Sequence, residues 1–360
     1  MSIFANKTLY SYNPSLGNVR AIGRTWYCQE NSTMWFALSG AGLEFFFYGS
    51  KCQIELIADG MWVSPEHCAR YAIYVNEVQI ADQLLSEPRQ LITVCDLPKP
   101  EHITIKVIKI SESCQSTMGI GQINIDSPEG IEPTKPKKKL IEFVGDSITC
   151  GYGVDLEDYT GKFTTATEDF RKSYAYLAAS ELDCDYSMVS YSGYGIISGY
   201  TESDEPHSDI LPPIYDAVGC SMGKFNCSTY PQNIKWDFLR QPDLLVVNLG
   251  TNDMTYVRDV IDRKLMFMNK YIDFLMTLRR YNPAAPILCT LGIMGDELFD
   301  TISDAVREYS RITEDINIRC IRLEPQCAED GYAVGWHPTY KSYIKAANRL
   351  VKGIREWLSW

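Results

Sequence analysis

The sequence predicts two domains in series: an antiparallel β sandwich of the jelly-roll kind, then an α/β domain built on a parallel sheet. Three observations carry this. Between residues 33 and 125 the hydrophobic period is mostly two, with turn residues punctuating it. From residue 140 onward, short apolar runs alternate with helical periods. Between them, residues 127–139 hold Pro128, Pro133 and Pro136 with Lys135, Lys137, Lys138 and Lys139, the composition of an extended linker. The expected boundaries are therefore 1–126, 127–139 and 140–360.

In the first domain, strands are expected over 34–38, 43–48, 53–57, 71–75, 91–95, 103–110 and 121–125. Gly40-Ala41-Gly42, Gly49-Ser50, Asp59-Gly60 and Asn76-Glu77 separate them. Ile103, Ile105 and Val107 alternate with Thr104 and Lys106, and then Ile108 and Ile110 continue on the other parity. That slip means either a β-bulge or a strand buried on both faces. So many short strands without a helical period imply a sandwich. Trp26, Trp35 and Trp62 are the side chains that could stack on sugar rings; the alternative is that they are core.

In the second domain, strands are expected over 140–144, 187–191, 244–248, 287–291 and 317–323. Val257, Ile261, Leu265, Met268, Ile272 and Leu275 recur at three and four, marking one long helix that ends near Tyr281-Asn282-Pro283. Tyr343, Ala347, Leu350, Ile354 and Trp357 form the stripe of a last helix, with Pro338 near its start. Such alternation makes a parallel sheet covered on both faces. The long polar stretches 155–170 and 203–232 are expected to carry substrate contacts.

Composition limits the function. The chain has 360 residues, 45% hydrophobic and 22% charged, which suits an ordinary globular protein of two domains. A net charge of −12 disfavours nucleic acid and anionic membrane surfaces as partners. No apolar run is long enough to span a bilayer. The first residues, Met1-Ser2-Ile3-Phe4-Ala5-Asn6-Lys7, lack the basic and apolar regions of a signal peptide, so a cytoplasmic protein is expected. The 12 cysteines are scattered without a C-x-x-C pair and read as reduced core thiols. His67, His102, His207 and His337 have no finger-like spacing with them, so no metal is expected.

Four short pieces carry chemistry. They are Gly145-Asp146-Ser147-Ile148-Thr149, Ser192-Gly193-Tyr194-Gly195, Gly250-Thr251-Asn252-Asp253 and Trp336-His337-Pro338. The first three follow predicted strands, where open α/β sheets place their sites. Each has a plainer reading: a capping serine, turn glycines, a capping asparagine, a loop histidine. Together they supply what a serine hydrolase needs. Ser147 offers a hydroxyl and its own N–H, Gly193 an unobstructed N–H, Asn252 a side-chain amide and His337 an imidazole.

This order of Ser, Gly, Asn and His resembles the SGNH, or GDSL-like, hydrolase superfamily. The longer runs from Ile141 to Gly153 and from Asn248 to Asp253, with Asn18 to Thr25 near the start, resemble carbohydrate esterase family 2. That family also places a jelly roll before its SGNH domain, so the resemblance covers nearly the whole chain. It implies removal of acetyl groups from plant polysaccharides or oligosaccharides such as acetylxylan, with no cofactor. It maps the nucleophile to Ser147, the base to His337 and the oxyanion hole to Ser147, Gly193 and Asn252. Trp336 is the candidate for stacking on sugar or walling the acyl pocket. A lipid or thioester hydrolase on the same fold and a non-catalytic carbohydrate-binding protein are the rival readings, and homo-oligomerisation stays open. One departure stands out. Superfamily members mostly carry aspartate three residues before the histidine, and here that position is Val334. A backbone carbonyl of 331–335 is the expected substitute, with Asp330 and Glu329 as the nearest carboxylates.

Overall fold

The computed structural model describes residues 7–360; Met1 to Asn6, read above for a leader, lie outside them. Ten antiparallel strands form a single sheet in the first domain. They are β1 (Tyr10–Tyr12), β2 (Arg20–Ile22), β3 (Trp26–Cys28), β4 (Thr33–Phe36), β5 (Gly42–Ala58), β6 (Arg70–Val75), β7 (Val78–Leu84), β8 (Arg89–Lys109), β9 (Met118–Ile125) and β10 (Glu132–Pro133). The paired strands β5 and β8 are its spine. Their register slips between Gly49 and Lys51 and between Cys52 and Gln53, and such slips let a sheet curl. Phe45, Phe47, Ile54, Leu56, Ile103, Ile105 and Val107 fill the inside.

The parity slip at Ile108 is a strand buried on both faces, since β5 and β8 stay in register there. Ile108 and Ile110 point away from the sandwich core and pack with Ile141 and Phe143 of the second domain. Trp35 is core, and Trp26 stacks on Phe225 of the second domain.

The second domain runs β11 (Leu140–Gly145), α1 (Ser147–Cys150), α2 (Tyr174–Glu181), β12 (Asp185–Ser190), β13 (Leu244–Asn248), α3 (Thr251–Val257), α4 (Ile261–Tyr281), β14 (Ile287–Leu291), α5 (Phe299–Thr313), β15 (Ile318–Arg322) and α6 (Tyr340–Leu358). Its five strands are all parallel, in the order β12-β11-β13-β14-β15. Every residue of β11, β13 and β14 is buried, which is why these strands read as continuous apolar runs. Among the described residues no helix is long and apolar enough to cross a membrane.

The expected long helix is two helices. Arg258 takes a left-handed φ of 49° after α3, and the chain restarts as α4 at Ile261. Ile261 and Leu265 are therefore exposed on the first turns of α4, while Phe267, Tyr271, Phe274, Leu275 and Leu278 bury its inner face. The linker is extended and pinned in place. Glu132 and Pro133 pair with Phe46 and Phe45, Ile131 is buried, and the Lys137 N–H donates to Asp185 at 3.0 Å.

The domains are joined by buried charge. Arg24, wholly buried, donates to the carbonyl oxygens of Tyr215 and Ala217 and pairs with Glu142 of β11 at 3.1 Å. The later part of stretch 203–232 packs here against the sandwich. Its Phe225 lies among Trp26 and Trp35, and it contributes no residue to the walls of the pocket described next.

Candidate active site

Topology brings three of the four motifs together. β11 is the switch strand, with β12 on one side and β13 on the other. Gly145 is level with Ser190 and with Asn248, so the chain leaves three adjacent strands at one edge. Ser147, Gly193 and Asn252 follow within a few residues, which is where such sheets open a crevice.

Asp146 caps α1 by accepting the Ile148 N–H at 3.0 Å. The capping role thus falls to Asp146, and Ser147 occupies the first helical position, where its N–H has no intrahelical acceptor. His337 arrives from the loop before α6. Its Nε2 lies 2.9 Å from Ser147 Oγ, and its Nδ1 lies 2.9 Å from the carbonyl oxygen of Val334. A carbonyl can only accept, so Nδ1 carries the proton and Nε2 is left free to accept from the serine.

Local backbone makes this contact. Gly335 and Trp336 both take left-handed conformations, with φ of 60° and 63°. They curl the chain so that Val334 C=O meets both the backbone N–H of His337, at 3.2 Å, and its ring. Among the described residues no carboxylate pairs with His337. Asp330 turns away to Lys345 at 2.5 Å, and its backbone carbonyl takes the Thr339 hydroxyl. Tyr152 packs on the imidazole with ring centres 4.3 Å apart. Burial with only neutral partners pushes the His337 pKa down to about 4.

Gly193 and Asn252 line the same pocket as Ser147 and His337. Gly193 has a φ of 81°, which suits glycine, and a side chain added there would meet nothing within 4 Å. Neither its N–H nor that of Ser147 has a partner among the described residues. The Asn252 amide donates to the Tyr194 carbonyl at 2.9 Å and more loosely to Asp146 at 3.3 Å. The next residue, Asp253, was not singled out in the sequence. It accepts the N–H groups of Ile196, Ile197 and Ser198 at 2.7 to 3.2 Å and so latches the Gly193 loop to α3. Burial raises the pKa of Asp253 to about 6 against those N–H bonds, and that of Asp146 to about 7.

These residues line one pocket of about 650 Å³. Ser147, Gly193, Asn252 and His337 line it together with the apolar side chains of Met254, Leu291, Met294 and Leu298. Trp336 is not in its wall. It stands on the rim, 53% exposed, with its ring 4.2 Å from that of Tyr159. Stretch 155–170 thus reaches the rim through Tyr159, and Phe163 backs Tyr152. Outside the pocket, Glu112, Cys150 and Glu168 are close enough to share an ion. The buried Lys109 ammonium already supplies positive charge to them, so a second cation there is poorly matched.

A serine hydroxyl on a neutral imidazole, facing free N–H groups at the carboxyl edge of a parallel sheet, defines a serine carboxylic-ester hydrolase. The chain belongs to the GDSL-like Lipase/Acylhydrolase family, whose model matches residues 143–343. It is 27% identical over 345 residues to the cellulase/esterase CelE of Acetivibrio thermocellus; the match takes in 90% of this chain and 38% of that protein. An acetyl xylan esterase from the rumen bacterium Butyrivibrio proteoclasticus superposes with a TM-score of 0.86 at 25% identity, over 98% of this chain and 99% of that one. A family two carbohydrate esterase from Clostridium thermocellum, solved with cellohexaose, shares the fold at a TM-score of 0.80 and 24% identity, over 95% and 99% of the two chains.

Proposed function

We propose that this protein is a carbohydrate O-acetylesterase acting on acetylated plant polysaccharides or oligosaccharides such as acetylxylan. The observation that carries the reading is the 2.9 Å contact between Ser147 Oγ and an imidazole whose other nitrogen is tied to a carbonyl. The likeness to an acetyl xylan esterase over both domains supports acetyl and sugar as the two halves of the substrate.

In this reading Ser147 Oγ attacks the acetyl carbonyl as His337 Nε2 takes its proton. The oxyanion is met by the N–H groups of Ser147 and Gly193 and by the Asn252 amide, which gives up its longer bond to Asp146. Collapse breaks the ester bond, and His337 returns the proton to the departing sugar oxygen. Water then attacks the acetyl-serine with His337 again as base, releasing acetate and restoring the hydroxyl. Trp336 and Tyr159 on the rim give the sugar a flat aromatic face.

Two measurements test this. With nitrophenyl esters, turnover should fall steeply from acetyl to octanoyl. Met254, Leu291 and Leu298 are the apolar lining that a longer chain would have to use. Equal or better octanoyl turnover would favour a lipid-type acylhydrolase instead. The second is the pH profile of kcat/KM, which reports the free enzyme's base. The base form exists above the His337 pKa, so activity is lost as pH falls through about 4. A further step near 7 would belong to Asp146. An acid limb near the unperturbed histidine value of about 6.5, unmoved in Asp146→Asn, would contradict a base held by a carbonyl alone.

A further inference from the structure

We infer that Glu112, contributed by the sandwich domain, is a positioning residue for the oxyanion loop and acts through the backbone of Ser192. The inference rests on Gly193 being an oxyanion donor, as proposed above. Glu112 is wholly buried just beyond β8. Its Oε2 accepts the Ser192 N–H at 2.9 Å, across the domain boundary. Ser192 is the residue immediately before Gly193.

Glu112 is held through both its side chain and its backbone. Its Oε1 accepts from the Gln115 amide at 3.3 Å, and the Glu112 N–H donates to Glu168 Oε2 at 2.6 Å. The buried Lys109 ammonium donates to the carbonyl oxygens of Ser111 and Glu112, at 2.7 and 2.6 Å. A buried carboxylate is costly unless charge and hydrogen bonds compensate it, and here both do. So well-fixed an acceptor is more than a strand end requires.

The loop needs such an anchor. Among the described residues nothing lies within 4 Å of where a Gly193 side chain would stand, so no packing on that side sets its position. Hydrogen bonds on either side do. Downstream, Tyr200 N–H holds the Gly193 carbonyl at 2.8 Å and the Asn252 amide holds the Tyr194 carbonyl. Upstream, the hold nearest to Gly193 is the Glu112 bond. The Ser192 hydroxyl is buried without a partner among the described residues, so this residue is fixed by its backbone. A charge-assisted bond to that N–H fixes the peptide leading into the Gly193 donor.

The test compares Glu112→Ala and Glu112→Gln on an aryl acetate, with urea midpoints measured alongside. A donor displaced rather than removed costs roughly 10- to 100-fold. That loss is expected in kcat for Glu112→Ala, with KM within about twofold. Glu112→Gln keeps an oxygen facing Ser192 and should restore most of kcat even if its stability stays low. Three results would overturn the inference: full kcat in Glu112→Ala, a loss confined to KM, or a glutamine variant as slow as the alanine one. If the alanine variant does not fold, Glu112→Met replaces it, and failure of both to fold would assign Glu112 to stability alone. Ser147→Ala is the reference. If it turns over like wild type, the failure lies with the proposed function and not with Glu112.

Discussion

Replacing Ser147 with alanine is expected to lower kcat for acetyl esters by roughly four to six powers of ten, with the fold intact. Ser147 lies at the first turn of a four-residue helix capped by Asp146, so its hydroxyl carries no capping bond. Its one side-chain partner among the described residues is His337. His337→Ala should cost about as much, because an unactivated hydroxyl at neutral pH is a poor nucleophile. The double variant should be no slower than either single one, since the two groups act as a unit. Losses that multiplied would mean that they serve separate steps.

Arg24→Ala is expected to cost about 3–5 kcal/mol of stability, because it strands a buried carboxylate. Arg24 lies under the domain junction, pairing with Glu142 and donating to two carbonyls of the 203–232 stretch. Its guanidinium also lies 5.0 Å from the Tyr215 ring centre and 5.1 Å from that of Phe238. Glu142 keeps only the hydroxyls of Tyr215 and Ser187 once the arginine is gone. Urea unfolding reads the loss. Pairing Arg24→Met with Glu142→Met should recover part of it, since two apolar groups leave no orphan charge. A double variant less stable than Arg24→Met alone would show that the ion pair is not what holds the junction.

The elements legible in the sequence were those whose pattern depends on burial alone. All five parallel strands were expected within a few residues, and β11, β13 and β14, buried throughout, leave continuous apolar runs. Gly49-Ser50 was read as a turn and is instead a slip within β5. Asp126 makes this tolerable by accepting the N–H groups of Ser50 and Lys51, a long-range partner that no local pattern announces. The break at Arg258 was hidden because apolar spacing continued across it while the chain changed direction.

The candidate site was legible to the extent that it lies in short motifs. Ser147, Gly193, Asn252 and His337 stand around one pocket because three of their motifs follow adjacent strands. Val334 was noticed as a missing carboxylate, and its carbonyl fills that place through two left-handed residues, Gly335 and Trp336. Glu112 was invisible. It sits in Ser111-Glu112-Ser113-Cys114, a stretch with no motif, and reaches Ser192 only because the domains dock. Asp253 was quoted within its motif, yet its three N–H partners come from a loop more than fifty residues away.

The measurement closest to the central claim is mass analysis of the protein quenched during turnover of an acetylated xylo-oligosaccharide. One acetyl group is expected on the peptide that carries Ser147, chased off by water. Neither adduct nor acetate release is expected in the Ser147→Ala protein. Acetate release that persists in Ser147→Ala, or an adduct on another residue, would contradict that claim.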